Sequence, residues 1–307
     1  MVRRTVYTIK QASTRTGLGA PLIRAWERRY GVIAPSRTAS GYRLFDEASI
    51  RILLAMRALL DAGWTASEAA RAIGAGEVAV DEVAVQHPVG PGAAPSTTAA
   101  HRARMIDRFV ASAEATSTVE TEAVLDDILA SGSFEAVVDD ILLPATAALG
   151  DSWAAGRLSV AAEHAASAAV ARRLAAVYQA AGIPARASVV VGLPPGSRHE
   201  LGALAFAAAL RRRGVGVLYL GPDVPVDGWV DAVSRARARA AVLGVVTTAD
   251  REPAAAVVQA LREHGLAIVA VGGAGVAEEP LGPDVLGLPF QVVAAAAAVA
   301  EAVGRRS

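Results

Sequence analysis

Cysteine is absent from all 307 residues, which excludes disulfide staples, thiolate metal sites and thiol nucleophiles. Long apolar runs are absent as well. Hydrophobic residues make up 53% of the chain, much of it alanine, and no stretch approaches the roughly 18 to 20 residues that span a bilayer. The first residues, MVRRTVYTIKQAS, carry two arginines but no apolar segment or small-residue cleavage site behind them, so no export signal is expected and the chain reads as cytoplasmic, without a membrane partner. Net charge is zero. Any metal has to be held by histidine, carboxylate or an organic ligand. The length exceeds what one core organises and argues for two or three domains.

The charge is unevenly spread. Residues 1–75 carry twelve Lys/Arg against five Asp/Glu, a net of +7, whereas residues 76–180 carry six against fourteen, a net of −8. A basic first segment suits phosphate contacts, and an acidic middle is repelled by DNA. On charge alone a solvated surface explains +7 equally well.

The order of elements sharpens that first segment. Residues 8–16 (TIKQASTRT) read as a short helix, Gly17 and Gly19 flank a turn, and 20–30 (APLIRAWERRY) read as a second helix with Pro21 in its first turn. Two short helices across a glycine turn make a helix-turn-helix. In the second, Leu22, Ile23 and Trp26 share an inward stripe while Arg24, Arg28 and Arg29 project outward. The following GVIAPSRTASGYRLF is punctuated like a two-stranded wing and carries Arg37 and Arg43. Asp46 and Thr65 then cap two more helices. The run IRAWERRYGVIAPSRTASGYRLFDEASI resembles the MerR family of transcriptional regulators over residues 5 to about 75. The resemblance implies that the helix at 20–29 enters the major groove of operator DNA, with Arg37, Tyr42 and Arg43 on the backbone.

Residues 76–98 lose helical periodicity and gather Pro, Gly, Ser and Thr, marking a flexible linker, and His87 and His101 in or beside it read as solvated. From 100 to 182 the pattern is helical, with breaks near Gly132, at Pro144 and at Gly156, so a four-helix bundle is expected. At the last break Trp153 ends one helix, Ser159 caps the next, and Glu163 and His164 lie in its first turns. Ala168, Ala171, Ala175 and Tyr178 follow His164 at helical spacing, giving a flat face that a broad planar ligand can approach. By themselves, Trp153 and His164 also fit a bundle core.

Residues 183–307 alternate strand and helix: strands at 187–193, 215–221, 241–246, LAIVAVGG and 284–288, separated by helices at 200–213, 226–239 and 254–264 and closed by a final helix. Apolar strands alternating with helices predict a flavodoxin-like (Rossmann-type) doubly wound parallel sheet, so the whole chain reads as multidomain α and α/β. Ligands of such sheets sit at the carboxyl ends of the strands, where PPGSRHELG places His199, with Gly202 opening the backbone nearby. No second ligand cluster accompanies His199, so a metal carried inside its own equatorial ring fits better than bare zinc or iron.

SRHELG resembles the Asp-x-His-x-x-Gly motif of cobalamin-binding domains, in which the histidine becomes the lower cobalt ligand, and Gly272 and Gly273 match that family's Gly-Gly pair lining the nucleotide tail. Two positions depart from the pattern. Ser197 stands where an acid orients the histidine, so it brings no charge to raise ring basicity, and Val245 replaces a strand-end serine, with Thr247 and Thr248 nearby. Trp153, nine intervening residues and Glu163-His164 are similar to the helical cap of CarH/LitR-type photoreceptors, MerR regulators that use adenosylcobalamin. That resemblance implies that Trp153 and Glu163 cover the upper adenosyl group and that His164 ligates cobalt after photolysis. It further implies a dark homo-oligomer, dimer or tetramer, that represses carotenoid or light-response genes and releases DNA in light, with no enzymatic activity. Methylcobalamin is an alternative cofactor. A corrinoid methyl carrier would share the last two segments but needs no basic winged helix, and a regulator that has lost cobalamin fits Ser197 and Val245.

Overall fold

The computed structural model describes residues 6–38, 43–62, 64–81, 83, 99–182, 187–276, 281–282 and 284–304. The chain divides into two compact units, Met1–Glu163 and His164–Ser307.

The first unit begins with β1 (Val6–Thr8), α1 (Ile9–Thr16) and α2 (Ala20–Tyr30), then β2 (Ser36–Arg37), β3 (Arg43–Asp46), α3 (Glu47–Asp61) and α4 (Ala66–Gly74). Thr8 opens α1 with a capping box to Gln11, and Gly17, at φ +69, ends it in the left-handed region that glycine tolerates. Asp46 accepts the N–H of Ser49 and Thr65 that of Glu68, the two caps expected from the sequence. The wing is a three-stranded antiparallel sheet in the order β1-β3-β2, because Val6–Thr8 pairs with Leu44–Asp46. That first strand was not expected from the sequence. Leu22, Ile23 and Trp26 are buried with Phe45, Ile50, Leu53 and Met56 in one apolar cluster. Burying each large side chain contributes about 1.5–3 kcal/mol.

The same unit continues with α5 (Ala99–Glu114), α6 (Thr118–Ala130), α7 (Phe134–Val137), a π-turn at Val138–Leu142, α8 (Leu143–Ala154) and the start of α9 (Val160–Ala180). Pro144 does not break the bundle as expected. It lies in the first turn of α8, where its missing N–H costs little, and the π-turn carries the chain through. The unexpected break is at Thr116, which takes φ +53 between α5 and α6. His101 is fully buried rather than solvated, since it shares the inward stripe of α5 with Met105, Phe109 and Ser112. His87 lies outside the described residues.

The second unit contains the rest of α9, then β4 (Val189–Gly192), α10 (Leu201–Arg212), β5 (Val217–Gly221), α11 (Val226–Ala236), β6 (Ala240–Gly244), α12 (Arg251–Glu263), β7 (Ile268–Gly272), β8 (Leu286–Gly287) and α13 (Val292–Gly304). All strand pairs are parallel and the order is β5-β4-β6-β7-β8, the flavodoxin-like doubly wound arrangement. The strands are apolar along their length because both faces are covered: Val189, Val190 and Val191 of β4 are all buried. The order reverses at β4, so the crevice between the loops that follow β4 and β6 is the topological switch point. Among the described residues no helix is long and apolar enough to cross a membrane.

Candidate functional site

The loop after β4 carries His199 at the carboxyl end of the sheet. Gly196, at φ +81, turns the chain, its N–H donates to Asp223 Oδ1 at 2.7 Å, and the Asp223 N–H donates back to the Ser197 carbonyl at 2.9 Å. His199 is exposed, and among the described residues its ring has no hydrogen-bond partner. Ser197 is 2% exposed and its hydroxyl is unpartnered. A buried hydroxyl left unsatisfied beside a free imidazole suits a polar ligand atom that completes it. A Cβ added at Gly202 would meet nothing within 4 Å, so the first turn of α10 is open on that side. These residues fit a bulky group with one metal-donor position. Among the described residues no cluster of three or more His, Cys, Asp or Glu side chains is arranged to hold a bare metal ion.

The far side of the crevice is filled by backbone. Val245 is fully buried, its N–H donates to the Gly272 carbonyl at 2.8 Å, and its carbonyl accepts from Gly275 at 3.0 Å. Gly273 has φ +121, and a Cβ there would sit 2.3 Å from the Val245 carbonyl oxygen. Close backbone approach therefore demands glycine at 273 with or without a ligand. Thr247 forms a reciprocal cap with Asp250, whose carboxylate accepts from the N–H groups of Val246 and Thr247 at 3.1 and 2.8 Å. A depression of about 510 Å³ bordered by Arg237, Arg239, His264 and Ile268 lies at the amino ends of β6 and β7, opposite His199.

In the first unit, α8 ends at an engaged turn. Ser152 is buried and donates its hydroxyl to Glu114 Oε1 at 2.5 Å, and Arg157 Nε donates to the same oxygen at 3.1 Å. The Ser152 bond foremost, then the Arg157 bond, hold the Glu114 carboxyl below the usual carboxylate range. Gly156 at φ +73 and the Ser159 cap follow. Trp153 is 52% exposed, so it is not bundle core. Helix α9 buries Ala162, Ala166, Ala169, Val170 and Leu174, which turns His164 and Ala168 outward and leaves Ala171 and Ala175 half-buried. Glu163 is half-buried beside them.

The three arginines of α2, Arg24, Arg28 and Arg29, all face outward, and some of the basic side chains of α2 and the wing are paired within the protein. Arg24 and Arg28 are exposed, and so is Arg37 of the wing, whereas Tyr42 lies outside the described residues. Arg43 is tied to Glu27 of α2 at 2.6 Å. Arg29 pairs with Asp126 of α6. Around it Trp26 Nε1 donates to the Ala130 carbonyl at 2.8 Å, and Tyr30 donates to Asp127 Oδ1 at 3.2 Å. Burial, reinforced by the Asp127 charge, pushes the Tyr30 hydroxyl well above its ordinary range. Asp127 also accepts from Ser67 at 2.9 Å. The docking carboxylates were missed in the sequence, although Asp127 sits on the apolar face with Val124 and Ile128, where an acid needs partners, and it pairs with Arg108 at 3.5 Å.

A winged helix on a helical bundle, joined to a doubly wound sheet with a free histidine at its switch point, defines a DNA-binding regulator with a ligand domain. Residues 7–75 match the model of the MerR HTH family regulatory protein, and residues 105–178 match that of the B12 binding domain. The chain is 34% identical over 251 residues to the HTH-type transcriptional repressor CarH of Myxococcus xanthus, covering 82% of this chain and 81% of that protein. With the HTH-type transcriptional repressor CarA of the same organism it shares 31% over 274 residues, covering 88% and 87%. The monomethylamine corrinoid protein of Methanosarcina barkeri superposes with a TM-score of 0.52 at 17% identity, covering 66% of this chain and 99% of that one, which is a likeness of fold. The chain belongs to the CarH/CarA family of MerR-type transcriptional repressors.

Proposed function

We propose that the protein is a cobalamin-dependent, light-responsive repressor in which residues 1–75 read operator DNA, 100–182 cap the cofactor and 183–307 hold it. The observation that carries this reading is His199, an exposed, unpartnered imidazole at the carboxyl end of β4, in a chain whose residues 105–178 match a B12 binding domain. Bound adenosylcobalamin supplies a cobalt–carbon bond that light breaks, methylcobalamin being the second candidate. His199 would hold the group from the loop after β4 through an imidazole nitrogen. Ser197, Gly202, Val245, Thr247, Gly272 and Gly273 line the lower side. From the cap, Trp153 and Glu163 would cover the bound group, and His164, exposed on the same helix turn as Glu163, would be a second imidazole available to it.

In the dark the chain assembles as a homo-oligomer, a tetramer or a dimer, and several winged helices engage one operator, so weak single contacts become tight binding. A preference of a few kcal/mol between cofactor states is enough to shift that assembly. The test is to load the purified protein with adenosylcobalamin in darkness and to follow absorption, size-exclusion and operator binding before and after green light. Bound cofactor, a dark oligomer and light-induced loss of both assembly and DNA binding are expected. A protein that takes up no corrinoid overturns the reading and leaves a MerR-type regulator of another ligand, the alternative favoured by the buried Val245 side chain.

A further inference from the structure

The loop that presents His199 lacks a carboxylate at position 197, and the Ser197 hydroxyl that replaces it makes no hydrogen bond. Its orientation has to come from elsewhere. One end is held by Asp223, through its bonds with Gly196 and Ser197. The other end is held by Tyr219 of β5, whose hydroxyl donates to Glu200 Oε2 at 2.9 Å. Glu200 directly follows His199, and its carbonyl accepts from Leu204, so it is the joint between the loop and α10. A phenol O–H on a carboxylate is a charge-assisted, directional bond.

The phenol itself stands on a firm base. Its ring faces Tyr178 with centroids 6.2 Å apart at 59°. Tyr178 in turn donates to the Val217 carbonyl at 2.8 Å and lies under the Arg211 guanidinium, 3.8 Å from its ring centroid. Arg211 also donates to the backbone carbonyls of Tyr178 and Val217 at 3.2 and 3.4 Å. Strand β5 is paired along β4, from which the loop springs.

We propose that Tyr219 is a positioning residue for His199: through Glu200 it fixes the loop from the neighbouring strand, in place of the contact that an acid at position 197 would make. The inference rests on His199 being the lower cobalt donor. Donor groups work within narrow geometric tolerance, and outer partners that orient them are worth about 10- to 100-fold in affinity.

The test uses the full chain as Tyr219→Phe, Glu200→Gln, Glu200→Ala and the double variant Tyr219→Phe/Glu200→Ala, with His199→Ala as reference. Three properties are read. In cofactor-free protein, amide exchange is followed across residues 196–200. In 15N-labelled protein loaded with unlabelled cob(II)alamin, the two-line nitrogen splitting of the electron spin resonance signal, as against the three lines of the cofactor's own base, and the dissociation constant report ligation by a protein imidazole. Tyr219→Phe is expected to speed amide exchange, reduce the nitrogen-ligated fraction and weaken affinity about tenfold or more. Glu200→Gln keeps an acceptor oxygen and should stay within about twofold of wild type, while the double variant should be no worse than Glu200→Ala, because both remove one bond. Wild-type nitrogen splitting and affinity in Tyr219→Phe, with His199→Ala impaired, would overturn this inference alone. Unchanged splitting in His199→Ala would overturn the assignment of His199 and this inference with it.

Discussion

Trp26 Nε1 donates to the backbone carbonyl of Ala130 at 2.8 Å, so the helix that carries Arg24 and Arg28 is fastened at its middle to the end of α6. A buried indole N–H usually finds a partner, and this one finds it outside its own helix-turn-helix. Trp26→Phe keeps most of the packing but strands that carbonyl. It should cost about 1–3 kcal/mol, read as a lowered denaturation midpoint.

The Arg29–Asp126 pair beside that bond sets a guanidinium against protein rather than phosphate. Asp126→Asn should release it. Since half-exposed pairs contribute about 0–1 kcal/mol, affinity for non-specific duplex should rise by up to about fivefold, and the plot of log affinity against log salt should steepen by about one unit. A fall in affinity would mean that the pair aims α2 for DNA.

Arg28 and Arg43 should behave differently. Arg28 is exposed, so Arg28→Ala should weaken operator binding and flatten the salt slope by about one unit. Arg43 is held by Glu27, so Arg43→Ala should act mainly by loosening the wing, seen as a lower melting temperature with a smaller change in slope. Equal slopes for both variants would show that Arg43 leaves Glu27 for phosphate when DNA binds.

Gly202 and Gly273 separate ligand demands from packing demands. Gly273→Ala meets the Val245 carbonyl and a left-handed φ, so it should destabilise cofactor-free protein by about 1–3 kcal/mol or more. Gly202→Ala meets nothing and lies in a helix, so cofactor-free protein should gain about 0.5–1 kcal/mol while cobalamin binding weakens. Thermal melts and cofactor titrations of both variants check this.

Glu114 gives a pH signature. Its carboxyl titrates below the usual range in the folded chain, so its contribution is complete above the unfolded value near about pH 4 and fades as pH falls through the folded one. Glu114→Gln should therefore melt earlier than wild type at pH 7, and the gap should close below about pH 4. Because this carboxylate holds the turn at Ser152, next to Trp153, the same variant should also weaken the proposed dark assembly. By contrast, Trp153→Ala should harm that assembly with little loss of stability, the side chain being half-exposed.

The elements legible in the sequence are those decided locally. The caps at Asp46 and Thr65 and the apolar strands of the doubly wound sheet stand near their expected places, because a short polar side chain before a helix, or a bounded Val/Ala/Leu run, needs no distant partner. Strand β1 escaped notice because three residues with little burial exist only through pairing to Leu44–Asp46. His101 was misjudged because the inward stripe of α5 begins where the linker's composition still dominates. Periodicity turned Trp26 inward and Arg29 outward, and it left out that the exposed Arg29 pairs with Asp126 of α6. A single sequence shows the faces of a helix and leaves out which neighbour takes each one.

Helix α9 runs for 21 residues and is fixed near its end, where Tyr178 bonds to the Val217 carbonyl. His164 stands fourteen residues before that anchor, about 21 Å along the axis at 1.5 Å per residue. Displacements at that anchor grow with distance along the helix. A tilt of about 10° at Tyr178 swings the imidazole by about 4 Å, more than the difference between a hydrogen bond and open separation. A small adjustment where Tyr178 meets β5 would therefore move His164 by several ångströms without melting a single turn, if the apolar packing along α9 yields with it.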